Sequence, residues 1–321
     1  MKTIGFLISR KNNEKRRAIV PKDLYKIQNK EYLYFEEGYG MSLGIADEEY
    51  INEGVHMAKR EDILNCDVLV DVKLGDGDYL DQLKESKMLV GWAHAVQGLD
   101  FTTAAIQGKH TVLAWEEIYE DGRYIFYKNR EIAGEAAIIQ GFRYCGKMPY
   151  DTKVAIIGNG QTAKGALRVL NGLGADVDVY KREFEGLFKK KMYEYDVVVN
   201  CVLWDTNRTD RLIYREDLKR FRPGTLIIDV SCNHGLEIET THPTTIDNPV
   251  YTVDGVIHYA VDNTPAMFPI TVTNHLSDRF SELVDRIVGD CLDEKMENAI
   301  VIENGNILDQ NIVAYRKRFG L

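Results

Sequence analysis

No apolar run in this chain approaches the roughly 20 residues that cross a bilayer, and the opening stretch Met1–Arg10 reads as a short strand rather than a cleavable leader. A soluble, cytoplasmic protein is expected, with no membrane partner. Cysteine is sparse as well. Cys66, Cys145, Cys201, Cys232 and Cys291 are scattered, odd in number and never in a Cys-x-x-Cys spacing. That excludes a disulfide framework and a structural zinc, and leaves reduced, mostly buried thiols with no metal site. Positive charge is in deficit, 40 Lys and Arg against 50 Asp and Glu, for a net charge of −10. A surface of that sign does not suit nucleic acid or an anionic membrane, so local basic clusters read as sites for small anions. There is also no internal repeat, low-complexity tract or Gly/Ser-rich linker. The 321 residues exceed what one core usually serves, so two domains joined by rigid, hinging elements are expected.

What is present is most informative at residues 154–165, Val-Ala-Ile-Ile-Gly-Asn-Gly-Gln-Thr-Ala-Lys-Gly, where an apolar strand runs into a glycine turn that opens a helix. Gly158 permits the turn, and Gly160 lets backbone approach a pyrophosphate. The helix start at Gln161, Thr162 and Ala163 offers unpaired N–H groups to its oxygens, with Asn159 inside the loop. Ala163 stands where the fingerprint has its third glycine. The next strand, Asp176–Tyr180, ends where NAD enzymes keep an acid for the ribose 2′-hydroxyl, but here Lys181 and Arg182 follow. Two cations there suit a 2′-phosphate and favour NADP(H) over NAD, although a solvated strand end would also be basic.

Apolar runs at Ile4–Ser9, Tyr32–Glu36, Asp67–Val72, Met88–Ala93 and Thr111–Trp115 alternate with helical patterns, as in a parallel α/β domain. A long helix, Asn129–Lys147, leads into a second series of strands: Lys153–Ile157, Asp176–Tyr180, Asp196–Val202, Thr225–Val230 and Val250–Val253. An amphipathic helix near Thr273–Leu292 and a short helical tail follow. The expected fold is α/β, two doubly wound, Rossmann-like domains with an interdomain cleft as active site. Residues 1–127 with 276–321 would form a discontinuous substrate domain and residues 128–275 the cofactor domain. An exposed apolar face on the late helix would make a homo-oligomer plausible.

Parallel sheets place ligand contacts beyond the C-terminal ends of their strands. In the first domain four ionisable residues fall there: Arg16, Lys73, His94 and Glu116. Arg16 can grip a carboxylate bidentately, Lys73 can polarise a carbonyl or hold the same carboxylate, and His94 can move protons. In the second domain, Asp229-Val-Ser-Cys-Asn233-His234 and His258-Tyr-Ala-Val-Asp262-Asn263-Thr-Pro265 follow strands on the cofactor face. Asn233, Asp262 and Asn263 either touch ligand or satisfy local turns.

Taken together, Lys11–Glu14 with Arg16, Val72-Lys73, Ala93-His94, Trp115-Glu116, the glycine loop, Pro223-Gly224 with Asp229, Pro243-Thr244-Thr245 and His258–Pro269 fall in one order. In that order the chain resembles the alanine dehydrogenase and saccharopine dehydrogenase group, whose N-terminal domain is shared with proton-translocating transhydrogenases. The resemblance implies that Arg16 and Lys73 meet a keto acid and that His94 is an acid/base catalyst. Alanine dehydrogenases carry aspartates where this chain has Asn233 and Lys181, which points away from an ammonia-using, NAD-dependent member. It points instead to a short NADP-type member that joins pyruvate to the side-chain amine of ornithine or lysine, with Glu116 and Asp262 pairing the substrate's ammonium groups. The rival readings are an alanine or saccharopine dehydrogenase, a non-enzymatic NADP(H)-sensing module, and a detached transhydrogenase-type subunit.

Overall fold

A computed structural model describes residues 1–205 and 208–321. The chain divides into two compact units, Met1–Phe126 with Pro269–Leu321, and Tyr127–Phe268.

The first unit opens with β1 (Ile4–Phe6), β2 (Leu33–Glu36), helix α1 (Asp47–Asn52), β3 (His56–Ala58), helix α2 (Arg60–Ile63), β4 (Val68–Val70), β5 (Met88–Gly91), helix α3 (Leu99–Gln107) and β6 (Thr111–Ala114). These six strands are parallel in the order β3-β2-β1-β4-β5-β6. The order reverses beside β1, where doubly wound sheets open their crevice. Val68, Leu69 and Val70 are all fully buried, as a parallel strand covered on both faces demands. A small hairpin, β7 (Tyr119–Glu120) and β8 (Arg123–Tyr124), closes this stretch.

Helix α4 (Tyr127–Gly141) begins the second unit, followed by β9 (Lys153–Ile157), α5 (Gln161–Gly172), β10 (Asp176–Tyr180), α6 (Glu185–Lys191), β11 (Val197–Asn200), β12 (Leu226–Asp229), β13 (Val250–Val253) and β14 (Val256–Tyr259). The sheet runs β10-β9-β11-β12-β14-β13, parallel except for the edge strand β13. Here the order reverses at β9, the strand that enters the glycine turn.

The chain then returns to the first unit through α7 (Pro269–Val288), α8 (Glu294–Glu297), β15 (Ile300–Glu303), β16 (Asn306–Ile307) and α9 (Gln310–Lys317). Helix α7 belongs to the first unit from its first residue. Its apolar face, including Leu276, Phe280, Leu283, Val284, Ile287 and Val288, is buried there, with Phe280 against the rings of Trp115 and Phe6. That face is therefore already covered and is not offered to a second copy. Among the described residues, no helix is long and apolar enough to cross a membrane.

Three elements depart from the sequence reading. The helix expected to reach Lys147 ends its α-helical part at Gly141 and finishes in a 3-10 turn, Phe142–Tyr144. The tail read as helical contains the hairpin β15–β16, whose β15 pairs antiparallel with β6. Its turn is Asn304-Gly305, both at positive φ, the dipeptide that a two-residue hairpin of this twist requires. Strand β3 carries no sequence signal because it is three residues long, with no fully buried position and so no continuous apolar run.

Candidate active site

In the first unit, the loops that follow β1, β4, β5 and β6 carry Arg16, Lys73, His94 and Glu116, and three of these four meet directly. Lys73, only 4% exposed, places Nζ 3.3 Å from His94 Nε2 and 3.8 Å from Asp76 Oδ2. An ammonium has only hydrogens to give, so Nε2 accepts and the imidazole proton lies on Nδ1. Glu116 lies beneath the pair and accepts the backbone N–H groups of Ala93 at 3.2 Å and His94 at 2.6 Å. His94 itself sits at φ 44°, a left-handed conformation that costs a non-glycine residue roughly 1–3 kcal/mol. Glu116 holds that turn in place. Burial pushes the Glu116 carboxyl up to about 7, against the pull of the two N–H donors. A neighbouring acid, Asp71, is likewise raised by burial, to about 6, and accepts the N–H of Lys73 at 2.9 Å.

Arg16 is reached through a different set of contacts. It is buried, 1% exposed, with Nη2 2.6 Å and Nε 2.9 Å from the two oxygens of Glu14. Its guanidinium lies 4.9 Å from the centre of the Trp92 ring, two residues before His94. The planar fork and the stacking both need arginine rather than lysine. The Trp92 indole donates to Tyr124 Oη at 2.8 Å, so the hairpin β7–β8 braces the stack. Glu14 enters the sequence reading only as the end of the motif Lys11–Glu14, with no role of its own, and Asp71, Asp76 and Trp92 are not candidates there. Of these, only Glu14 carried a signal, two residues from Arg16 in a charged loop.

In the second unit, β9 and α5 form the expected strand-turn-helix. Gly158 has φ 116° and donates its N–H to Tyr180 O at 2.9 Å; a Cβ there would lie 2.8 Å from Cys201 O. Only glycine fits. Gly160 caps α5, and a Cβ on it would meet no protein atom within 4 Å. The space in front of the helix start is thus open, as a cradle for a pyrophosphate must be. The first-turn amides at Gln161, Thr162 and Ala163 have no carbonyl of their own helix to bond. Ala163 packs into the core of this unit, while Asn159 is exposed. The bond from Gly158 to Tyr180 ties the glycine turn to the end of β10, immediately before the exposed Lys181 and Arg182. This arrangement fits a dinucleotide.

The remaining predicted residues lie beyond β12 and β14. Asn233 Nδ2 donates to Glu237 Oε1 at 3.0 Å. Asp262 donates its backbone N–H to Thr244 O at 3.0 Å, and Asn263 has φ 71° at the start of the 3-10 turn Thr264–Met267. The first-unit residues form one group and these residues, with the glycine loop, belong to the other unit.

Two family models match successive stretches of the chain. Residues 8–127 match the family model "Alanine dehydrogenase/PNT, N-terminal domain", and residues 182–315 match "Alanine dehydrogenase/PNT, C-terminal domain". The chain is similar to N(5)-(carboxyethyl)ornithine synthase of Lactococcus lactis subsp. lactis (strain IL1403), 30% identical over 87% of this chain and 94% of the relative. It is 31% identical to the enzyme of that name from Clostridium botulinum, over 88% of this chain and 93% of the relative. An alanine dehydrogenase of Methanococcus maripaludis is 28% identical over 84% and 82%. Among solved structures, an L-alanine dehydrogenase superposes with a TM-score of 0.83 at 21% identity, covering 98% of this chain and 99% of that one.

Proposed function

Because this chain belongs to the alanine dehydrogenase/PNT family of nicotinamide-dinucleotide-dependent amino-acid oxidoreductases, we propose that it condenses pyruvate with the side-chain amine of L-ornithine, or of L-lysine, and reduces the resulting imine with NADPH. The name of its synthase relatives, N(5)-(carboxyethyl)ornithine synthase, carries the name of the product that this reaction gives from ornithine. The observation that carries the reading is the Lys73–His94 pair, 3.3 Å apart and braced by Glu116. A keto-acid carbonyl that must be polarised, attacked by an amine and then dehydrated needs such a cation and proton carrier side by side.

Arg16 takes the pyruvate carboxylate and Lys73 polarises the keto oxygen while the neutral terminal amine attacks the keto carbon. His94 removes the proton from the attacking nitrogen. Lys73 gives its proton to the alkoxide formed by the attack, and His94 passes the proton it took from nitrogen to the resulting hydroxyl, so that the carbinolamine loses water and the nitrogen, keeping its remaining proton, becomes a protonated imine. The loop Gly158–Ala163 would hold the cofactor's pyrophosphate, and Lys181 and Arg182 its 2′-phosphate. When bound, the cofactor supplies the hydride that turns the imine carbon into the carbon of a secondary amine. Glu116, already engaged by two backbone N–H groups, serves to position His94. Asp262 is left as the group for the distant ammonium of the amino acid.

Ornithine labelled with 15N in its side chain tests this directly. Mass spectrometry of the product formed with pyruvate and NADPH is expected to find the label in an N-(1-carboxyethyl) amino acid. Formation of alanine from ammonium with no such adduct would move the protein to the alanine dehydrogenases. Absence of any turnover, with NADPH bound, would favour the sensing module.

A further inference from the structure

The glycine turn contains a dipeptide with chemistry of its own. An asparagine followed by glycine can lose its side-chain amide. The glycine nitrogen gives up its proton and attacks the asparagine Cγ, Nδ2 leaves as ammonia, and a succinimide ring forms. Water then opens the ring at either carbonyl, to aspartate or to isoaspartate. The net change is one water taken up and one ammonia released, with no oxidation. Glycine permits the attack because it has no Cβ to crowd the nitrogen. The reaction also needs an asparagine side chain that can turn and a glycine N–H that nothing holds.

The chain has three such dipeptides, Asn159-Gly160, Asn171-Gly172 and Asn304-Gly305. Two are held. Gly172 lies inside α5, with its N–H in the helical ladder, and Gly305 donates its N–H to His110 O at 3.0 Å. In the third, Asn159 and Gly160 are both exposed. Among the described residues, neither the Asn159 side chain nor the Gly160 N–H has a hydrogen-bond partner. The open space in front of Gly160 means that no neighbour restrains the turn there. The same N–H points to the end of α5 where an anion is bound by backbone donors.

We propose that Asn159 is a deamidation site and that a bound dinucleotide protects it by engaging the Gly160 N–H. Deamidation is then a slow, one-way clock that runs on molecules without cofactor. Either product puts a carboxylate beside the pyrophosphate, where like charges repel. Isoaspartate also routes the backbone through the side chain and adds a methylene between Gly158 and Gly160. Both changes oppose dinucleotide binding. The proposal rests on the dinucleotide reading of this turn, but not on the choice of substrate or of NADP(H) over NAD(H).

The test is to age the full chain in mildly alkaline buffer with and without NADPH or NADH, digest it, and measure aspartate and isoaspartate at positions 159, 171 and 304 by mass spectrometry. Without dinucleotide, conversion at Asn159 is expected to be at least about tenfold faster than at the other two, whose glycine N–H groups must first leave their hydrogen bonds. Dinucleotide-binding capacity, read by fluorescence titration, is expected to fall in step with it. NADPH or NADH at about 100 times its Kd is expected to slow conversion about a hundredfold, because only the unbound fraction reacts. Asn159→Ser, which has no amide to lose, is expected to keep through ageing whatever affinity it starts with. Conversion at Asn159 no faster than at Asn171 and Asn304, or unaffected by a dinucleotide that the titration shows to be bound, overturns the proposal. Absence of binding by either dinucleotide overturns the reading beneath it as well.

Discussion

Replacing Gly165 by alanine tests whether the pyrophosphate helix is placed by helix-to-helix contact. Gly165 lies on α5, and a Cβ there would fall 1.9 Å from the carbonyl oxygen of Glu131 on α4 and 2.7 Å from its carbon. From the other side, a Cβ on Gly134 would meet Thr162 O at 2.0 Å. Backbone cannot rotate away as a side chain can, so the methyl group must push the helices apart. Overpacking of this kind costs typically about 1–3 kcal/mol, and the rigid backbone on both sides argues for the upper end. For a unit of this size about 3 kcal/mol lowers Tm by roughly 6–12 °C. Gly172, the last residue of the same helix, is the control: a Cβ there meets nothing within 4 Å, so Gly172→Ala is expected to gain up to about 1 kcal/mol. Thermal melts followed by circular dichroism measure both. NADPH titration by fluorescence is expected to show weaker binding for Gly165→Ala alone, because the start of α5 moves with its body. A Gly165→Ala protein that melts within a degree or so of wild type would refute the reasoning.

Other expectations follow from single contacts. Lys181→Asp with Arg182→Ala is expected to reverse the preference for NADPH over NADH, read as the ratio of kcat/KM for the two cofactors, since the 2′-phosphate would lose both cations. Lys73→Ala and His94→Ala are expected to bind NADPH normally and to lose at least about a hundredfold in kcat; unchanged turnover in either would remove it from the mechanism. Glu116 titrates at about 7 in the fold, against 4.5 as its ordinary value. The folded state therefore binds more protons than the unfolded one in that interval. The contribution of Glu116 is full below about pH 4.5 and is lost as the pH rises through about 7, so Glu116→Gln should flatten the fall in Tm across that window. An unaltered pH dependence in the variant would show that Glu116 is not the group responsible.

The fold was legible where one physical signal dominated. Continuous apolar runs such as Val68-Leu69-Val70 announce parallel strands, and the strand-glycine-helix sequence around Gly158 announces itself through backbone conformation that no other residue adopts. The four strand-end residues of the first unit could be found because parallel strands deliver their loops to one edge. What sequence did not convey were the partners that give those residues their state. Arg16 reads as a cation set to grip a carboxylate, with nothing to announce that Glu14 and the Trp92 ring bury it. Glu116 reads as a candidate for a substrate ammonium until two backbone N–H groups claim its oxygens. The hairpin at Asn304-Gly305 was in plain view as a turn dipeptide between apolar residues, but its strands are too short to outweigh the helical pattern that follows.

The central claim is that an amino acid's side-chain amine, rather than ammonia, meets pyruvate at Lys73 and His94. The measurement that reaches it most directly is the initial rate of NADPH oxidation, followed by absorbance, with pyruvate alone and with pyruvate plus ornithine, lysine or ammonium, and with NADH run in parallel. NADPH loss that depends on ornithine or lysine and exceeds the rate with ammonium is the predicted result. NADPH or NADH loss that depends on ammonium and is indifferent to ornithine and lysine would contradict it.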